Sequence, residues 1–61
     1  MKFKLEIDCD NAAFDNWPNA EAEVARILRN AATEIETRQG QGKCRDYNGN
    51  TVGSYFFREE A

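Results

Sequence analysis

Carboxylates are the residues of this chain with the most capacity for chemistry. Glu6, Asp8, Asp10, Asp15, Glu21 and Glu23 all fall between Leu5 and Ala25, a stretch without Lys or Arg. A close pair such as Asp8 and Asp10 could divide acid and base work. Asp8, Asp10, Asn11 and Asp15 also offer the hard oxygen ligands that calcium takes, and Asp46-Tyr47-Asn48-Gly49-Asn50 has the opening of an EF-hand loop. That loop then departs from the pattern, with Thr51 where Gly is needed and Phe57 where a bidentate Glu is needed. A strand-to-helix turn and a hairpin turn explain both stretches, so neither a metal site nor a cofactor is expected.

Catalysis is not expected either. The chain has no His, which removes a His base, a Cys–His pair and a Ser-His-Asp triad. No Gly-rich loop precedes a helix in the manner of a phosphate-binding motif. One helix and a few strands leave little material for an enclosed pocket. Cys9 and Cys44 match no zinc spacing, and both read as free, reduced, buried thiols with no disulfide between them.

Binding is the chemistry that remains. The acidic run has a bland reading, a solvated face with carboxylates near the positive end of a helix, and a sharper one, a surface that attracts a basic partner. Arg26, Arg29, Lys43 and Arg45 are the candidate phosphate contacts if the chain instead holds a nucleotide at subunit junctions. Tyr47, Tyr55, Phe56 and Phe57, with Lys43, Arg45 and Arg58 nearby, raise a stacking platform for single strands. The net charge of −3 weighs against direct nucleic-acid binding, where cations must supply the attraction.

Behind these residues stand elements arranged around one helix. Val24, Ile27, Leu28, Ala31 and Ile35 recur at the spacing that places them on one face, widened by Ala20 and Ala32, and predict a helix over Pro18–Gln39. Asn16 or Asn19 serves as its cap, and Gly40 ends it. Lys2 to Cys9 alternates Phe3, Leu5, Ile7 and Cys9 against Lys2, Lys4, Glu6 and Asp8, a strand with one buried face. Phe14, in the connection, tucks under the sheet edge or the helix. Two further strands, Lys43–Tyr47 and Thr51–Arg58, flank the hairpin signal Asn48-Gly49. Strict alternation from Val52 sends Phe56 inward and Tyr55 and Phe57 outward, whereas a bulge at Gly53 reverses that.

The expected fold is therefore α+β, with order β-α-β-β: one long helix on one face of a three-stranded sheet, residues 1–61 forming a single domain. The last strand, being the most apolar, takes the centre. No apolar run approaches the ~20 residues of a membrane span, and the charged N-terminus is unlike a signal peptide, so the expectation is a cytoplasmic chain with no membrane partner.

The segments Lys2-Phe3-Lys4-Leu5-Glu6-Ile7, Asp10-Asn11-Ala12-Ala13-Phe14, Arg26-Ile27-Leu28-Arg29 and Arg45-Asp46-Tyr47-Asn48-Gly49-Asn50-Thr51-Val52-Gly53 together resemble small phage and prophage proteins. The likeness spans most of the chain, and its motifs are structural rather than catalytic. It implies a bacterial host cytoplasm, where compact acidic proteins of this size often inhibit defence systems.

The leading expectation is thus a small acidic interaction protein that binds and inhibits a host macromolecule with a basic surface, contacting it through Glu6, Asp8, Asp10, Asp15, Glu21, Glu23 and Phe56. The alternatives are the nucleotide-binding oligomer and a structural or accessory phage component. Self-association into a homodimer is also expected. A chain of this length buries only about 60 % of its unfolded surface, its first strand lies at a sheet edge, and one sheet face has no helix to cover it. Pairing could run through that edge or through aromatics on the uncovered face.

Overall fold

The period-two alternation of the first segment does form an edge strand, β1 (Lys2–Ile7). A computed structural model of the chain describes residues 1–15, 19–37 and 40–59. After β1 the chain makes a short 3-10 turn (Ala12–Phe14), then a helix, α1 (Asn19–Glu36), and a hairpin of β2 (Gln41–Arg45) and β3 (Thr51–Arg58). The sheet is antiparallel in the order β1-β3-β2, so the most apolar strand is central. One helix on a three-stranded sheet makes this an α+β fold.

The register settles the phase of the aromatics. Phe3, Leu5 and Ile7 of β1 lie opposite Phe57, Tyr55 and Gly53, and Gly42 and Cys44 of β2 lie opposite Tyr55 and Gly53. All of these face the helix. Pairing then shifts between Cys44 and Arg45, whose partners are Gly53 and Thr51, and Val52 is left as the extra residue of a bulge. The extra residue lets both Val52 and Tyr55 reach the core, which simple alternation forbids. Phe56 falls on the open face, between Lys4 and Gln41.

Gly53 is needed for close approach. A Cβ there would run into the Glu6 carbonyl of the neighbouring strand. Gly42 leaves room of another kind, because the Tyr55 ring lies over its Cα where a Cβ would stand.

The helix, about 27 Å long, packs chiefly on β2 and the 3-10 turn. Ala13, Phe14, Ile27, Ala31, Cys44, Val52 and Tyr55 make the core, with Leu5, Ile7, Ala20, Val24 and Ile35 packed around it. Phe14 is buried, as its place in the connection suggested.

Several boundaries and faces differ from the sequence reading. Leu28 is exposed, and so is Ala32, because the buried stripe is turned toward Glu23, Ile27 and Ala31. The cause is polar. Glu23 and Glu34 flank the stripe and anchor the helix to the hairpin and to Tyr55, a pull that hydrophobic spacing alone does not register. β1 ends at Ile7, and Cys9 lies beyond it, exposed rather than buried. β2 starts at Gln41 and ends at Arg45, two residues earlier than expected at each end, because pairing with the apolar β3 recruits Gln41 and Gly42. The expected helix ends at Pro18, Arg38 and Gln39, and the candidate cap Asn16, lie outside the described residues.

Candidate functional site

Asp46 organises the end of the molecule where the hairpin turns. Its backbone N–H donates to the Asn50 carbonyl at 2.9 Å, and its carbonyl accepts the Gly49 N–H at 3.0 Å. Tyr47, Asn48 and Gly49 thus form a three-residue loop, a tight turn followed by Gly49 at φ +85°. The buried carboxylate is saturated. Oδ1 accepts the N–H groups of Asn48 and Asn50, each at 2.9 Å, and Oδ2 accepts Asn11 Nδ2 at 2.8 Å and Asn50 Nδ2 at 3.2 Å. Burial pushes this carboxyl up, but the donors from Asn50, Asn11 and Asn48 outweigh it and hold the group below its ordinary value. Asn11 joins the network at its other end, where its Oδ1 accepts the Ala13 N–H and starts the 3-10 turn.

A second carboxylate fixes the helix to the same loop. Glu23 is buried, and Arg26 grips it with two parallel bonds, Nε to Oε1 at 2.8 Å and Nη2 to Oε2 at 2.9 Å. Glu23 Oε2 also accepts the Tyr47 N–H at 2.7 Å, and Arg26 Nη2 donates on to the Arg45 carbonyl at 3.0 Å. The Arg26 hydrogen bonds hold the Glu23 carboxyl low against the opposing effect of burial. Two members of the sequence-derived sites are thereby corrected. Glu23 is not on the acidic surface, and Arg26 is committed to Glu23 rather than poised for phosphate.

The other five residues of the acidic run, Glu6, Asp8, Asp10, Asp15 and Glu21, are exposed. Asp8 and Asp10 follow the end of β1, Asp15 follows the 3-10 turn, and Glu21 lies in the first turn of α1. These four belong to the end of the fold that carries the hairpin loop. Asp8 and Asp10 are close enough to share a hydrogen bond. That bond, and then the Asp8 charge, push the Asp10 carboxyl above its ordinary value. Tyr47, 64 % exposed, lines a shallow depression with Asp15, Asn19, Ala22 and Arg26. Glu6 differs, since it lies on the open sheet face with Lys4 and Ser54.

Of the candidate cations, Arg26, Lys43 and Arg45 do line one cleft, about 150 Å³, between α1 and β2, and Arg29 does not. Asn30, Glu34 and Asp46 line the same cleft, so its charge is mixed. Opposite the helix, Lys2, Lys4, Lys43 and Arg58 share the open face with half-buried Phe56. The stacking platform read from the sequence is divided: Phe56 lies on this face with Lys43 and Arg58, Tyr55 is buried, Phe57 is on the helix side and Tyr47 is exposed at the hairpin loop. The sequence reading did not bring Lys2 and Lys4 to the same face.

The interior carries one further polar contact. Tyr55 donates its hydroxyl to Glu34 Oε1 at 2.7 Å, and this bond, with burial, pushes its pKa up to about 12. Cys44 is packed in the core, and burial, then the Glu34 charge, push its thiol up. No group of three or more metal-ligating side chains occurs among the described residues. Nor, among those residues, is any helix long and apolar enough to cross a membrane. No protein-family model, no curated protein and no solved structure matches the chain.

Proposed function

We propose that this chain is a small interaction protein whose acidic end binds and obstructs a basic surface on a host macromolecule, a component of a defence system being the class the phage-like sequence suggests. The observation that supports this most is the placement of Asp8, Asp10, Asp15 and Glu21. They are exposed around one end, and Asp8 and Asp10 are crowded enough to disfavour ionisation of Asp10. Approach of a cationic group relieves that crowding, so binding and the local field favour each other. Tyr47 adds a large exposed ring of the kind that anchors interfaces, and its backbone is held by Glu23, so little order is lost on docking.

The test is capture of host proteins on the immobilised chain at low and high salt. A specific basic protein should be retained, released by about 0.5 M salt, and no longer retained by an Asp10→Asn/Asp15→Asn/Glu21→Gln variant. Retention that ignores both salt and the triple change contradicts the reading.

The nucleotide reading has one observation in its favour, the shared cleft of Arg26, Lys43 and Arg45. Its volume is below the roughly 300 Å³ at which small-molecule sites begin, and Arg26 is already paired. A thermal upshift with a nucleoside triphosphate, abolished by Lys43→Ala, would favour it.

A further inference from the structure

The outer edge of β1 is matched in three independent respects to a second copy of itself, and we propose that two chains pair there, antiparallel about Leu5, into one continuous six-stranded sheet.

The first match is backbone phase. Asp8 donates its N–H to the Val52 carbonyl at 2.7 Å, so the even-numbered residues of β1 bond to β3. In an antiparallel ladder the alternate residues turn the other way. Phe3, Leu5 and Ile7 therefore direct their N–H and C=O groups outward, and among the described residues no strand lies beyond β1. Among the described residues the Ile7 carbonyl meets the Cys9 thiol there, at a long 3.9 Å. A two-fold axis at Leu5 sets Leu5 opposite Leu5 and Phe3 opposite Ile7, three hydrogen-bonded pairs made wholly of outward-facing residues.

The second match is charge. The same register sets Lys4 opposite Glu6 and Lys2 opposite Asp8, each pair occurring twice by symmetry. Sliding by one step of two residues in either direction keeps the hydrogen-bond phase but puts Lys4 opposite Lys4, or Glu6 opposite Glu6. Only the register centred on Leu5 avoids a like pair. Charges on an edge strand commonly deter pairing, but this order of signs is self-complementary.

The third match is apolar surface. Phe3 and Phe57, 41 % and 42 % exposed, pack together on the helix side of the sheet with centroids 4.9 Å apart and rings tilted by 52°. In the pair, the second copy's Ile7 arrives beside Phe3 and covers this row. The proposal is separate from the acidic-end reading, sharing only Asp8 with it, and its test involves no third molecule.

Light scattering at high micromolar concentration should give twice the 7.0 kDa chain mass. Chemical synthesis with an N-methyl group on Leu5 removes one outward donor and leaves the bonds to β3 untouched, so it should give a folded monomer by circular dichroism. Lys4→Glu should weaken the dimer by about tenfold or more, Lys4→Glu/Glu6→Lys should restore it, and Phe56→Glu, on the open face, should leave it intact. A wild type that stays monomeric overturns the proposal. So does a dimer that survives N-methylation of Leu5, or one that the charge swap fails to restore.

Discussion

The two edges of this sheet are defended in opposite ways. At β2 the helix packs over the strand, Arg26 bonds the outward Arg45 carbonyl, and the Asp46 loop closes the end. At β1 no further strand lies outside among the described residues, and the strand carries charges at every second position, Lys2, Lys4 and Glu6. An edge of free N–H and C=O groups is a template for another strand unless it is covered. The helix and its hydrogen bond to the strand lie on the β2 side of the sheet. Buried carboxylates hold the scaffold on the β2 side, and the β1 edge is where, on our proposal, a second copy pairs.

Gly53, on the strand between the two edges, offers the largest way to break this contrast. Gly53→Val drives a side chain into the Glu6 carbonyl and pushes β1 off the sheet, so the variant should show no cooperative melt. Ile27→Ala attacks the covered side and should cost about 2–5 kcal/mol, since Ile27 is 2 % exposed in the core. A urea melt checks both. Asp46→Asn turns an acceptor oxygen into a donor facing the amides of Asn11 or Asn50, and should lower the melting temperature by about 5–15 °C.

Acid tests the same anchors. Asp46 and Glu23 both have carboxyls held below their ordinary values. Their contribution is present above the unfolded carboxylate range and is lost as pH falls through the folded values. Asp10 has the opposite sign, its crowding with Asp8 being relieved on protonation. Melting temperature should therefore fall on acidification below about pH 4, less steeply in Asp46→Asn, and a curve unchanged by that substitution would remove Asp46 from the account. The smallest effect belongs to Leu28→Ala, less than about 1 kcal/mol, because Leu28 is exposed rather than in the core.

Much of this was legible in the chain. The Asn48-Gly49 pair announces a residue with positive φ, and Gly49 supplies it. The alternation of Lys2 to Ile7 marks an edge strand, and the apolar content of Thr51–Arg58 marks the centre of the sheet. The rotation of the helix was not legible, because Leu28 and Ile27 are equally apolar and the choice between them is made by Glu23, a charged residue that takes a core position through Arg26 and the Tyr47 N–H. The acidic run was visible as a run, but not its division into an exposed set and one buried anchor. That division depends on a contact between residues 24 apart in sequence, which no local pattern encodes.

Amide hydrogen exchange, followed residue by residue at low and high protein concentration, tests the contrast between the edges most directly. The Tyr47, Asn48 and Asn50 N–H groups, held by Glu23 and Asp46, should be protected at every concentration. The Phe3, Leu5 and Ile7 amides should exchange freely when dilute and become protected together as the concentration rises, while Lys4 and Glu6 stay protected throughout. Protection of Leu5 that does not depend on concentration, or loop amides that exchange as fast as those of the open edge, would contradict the account.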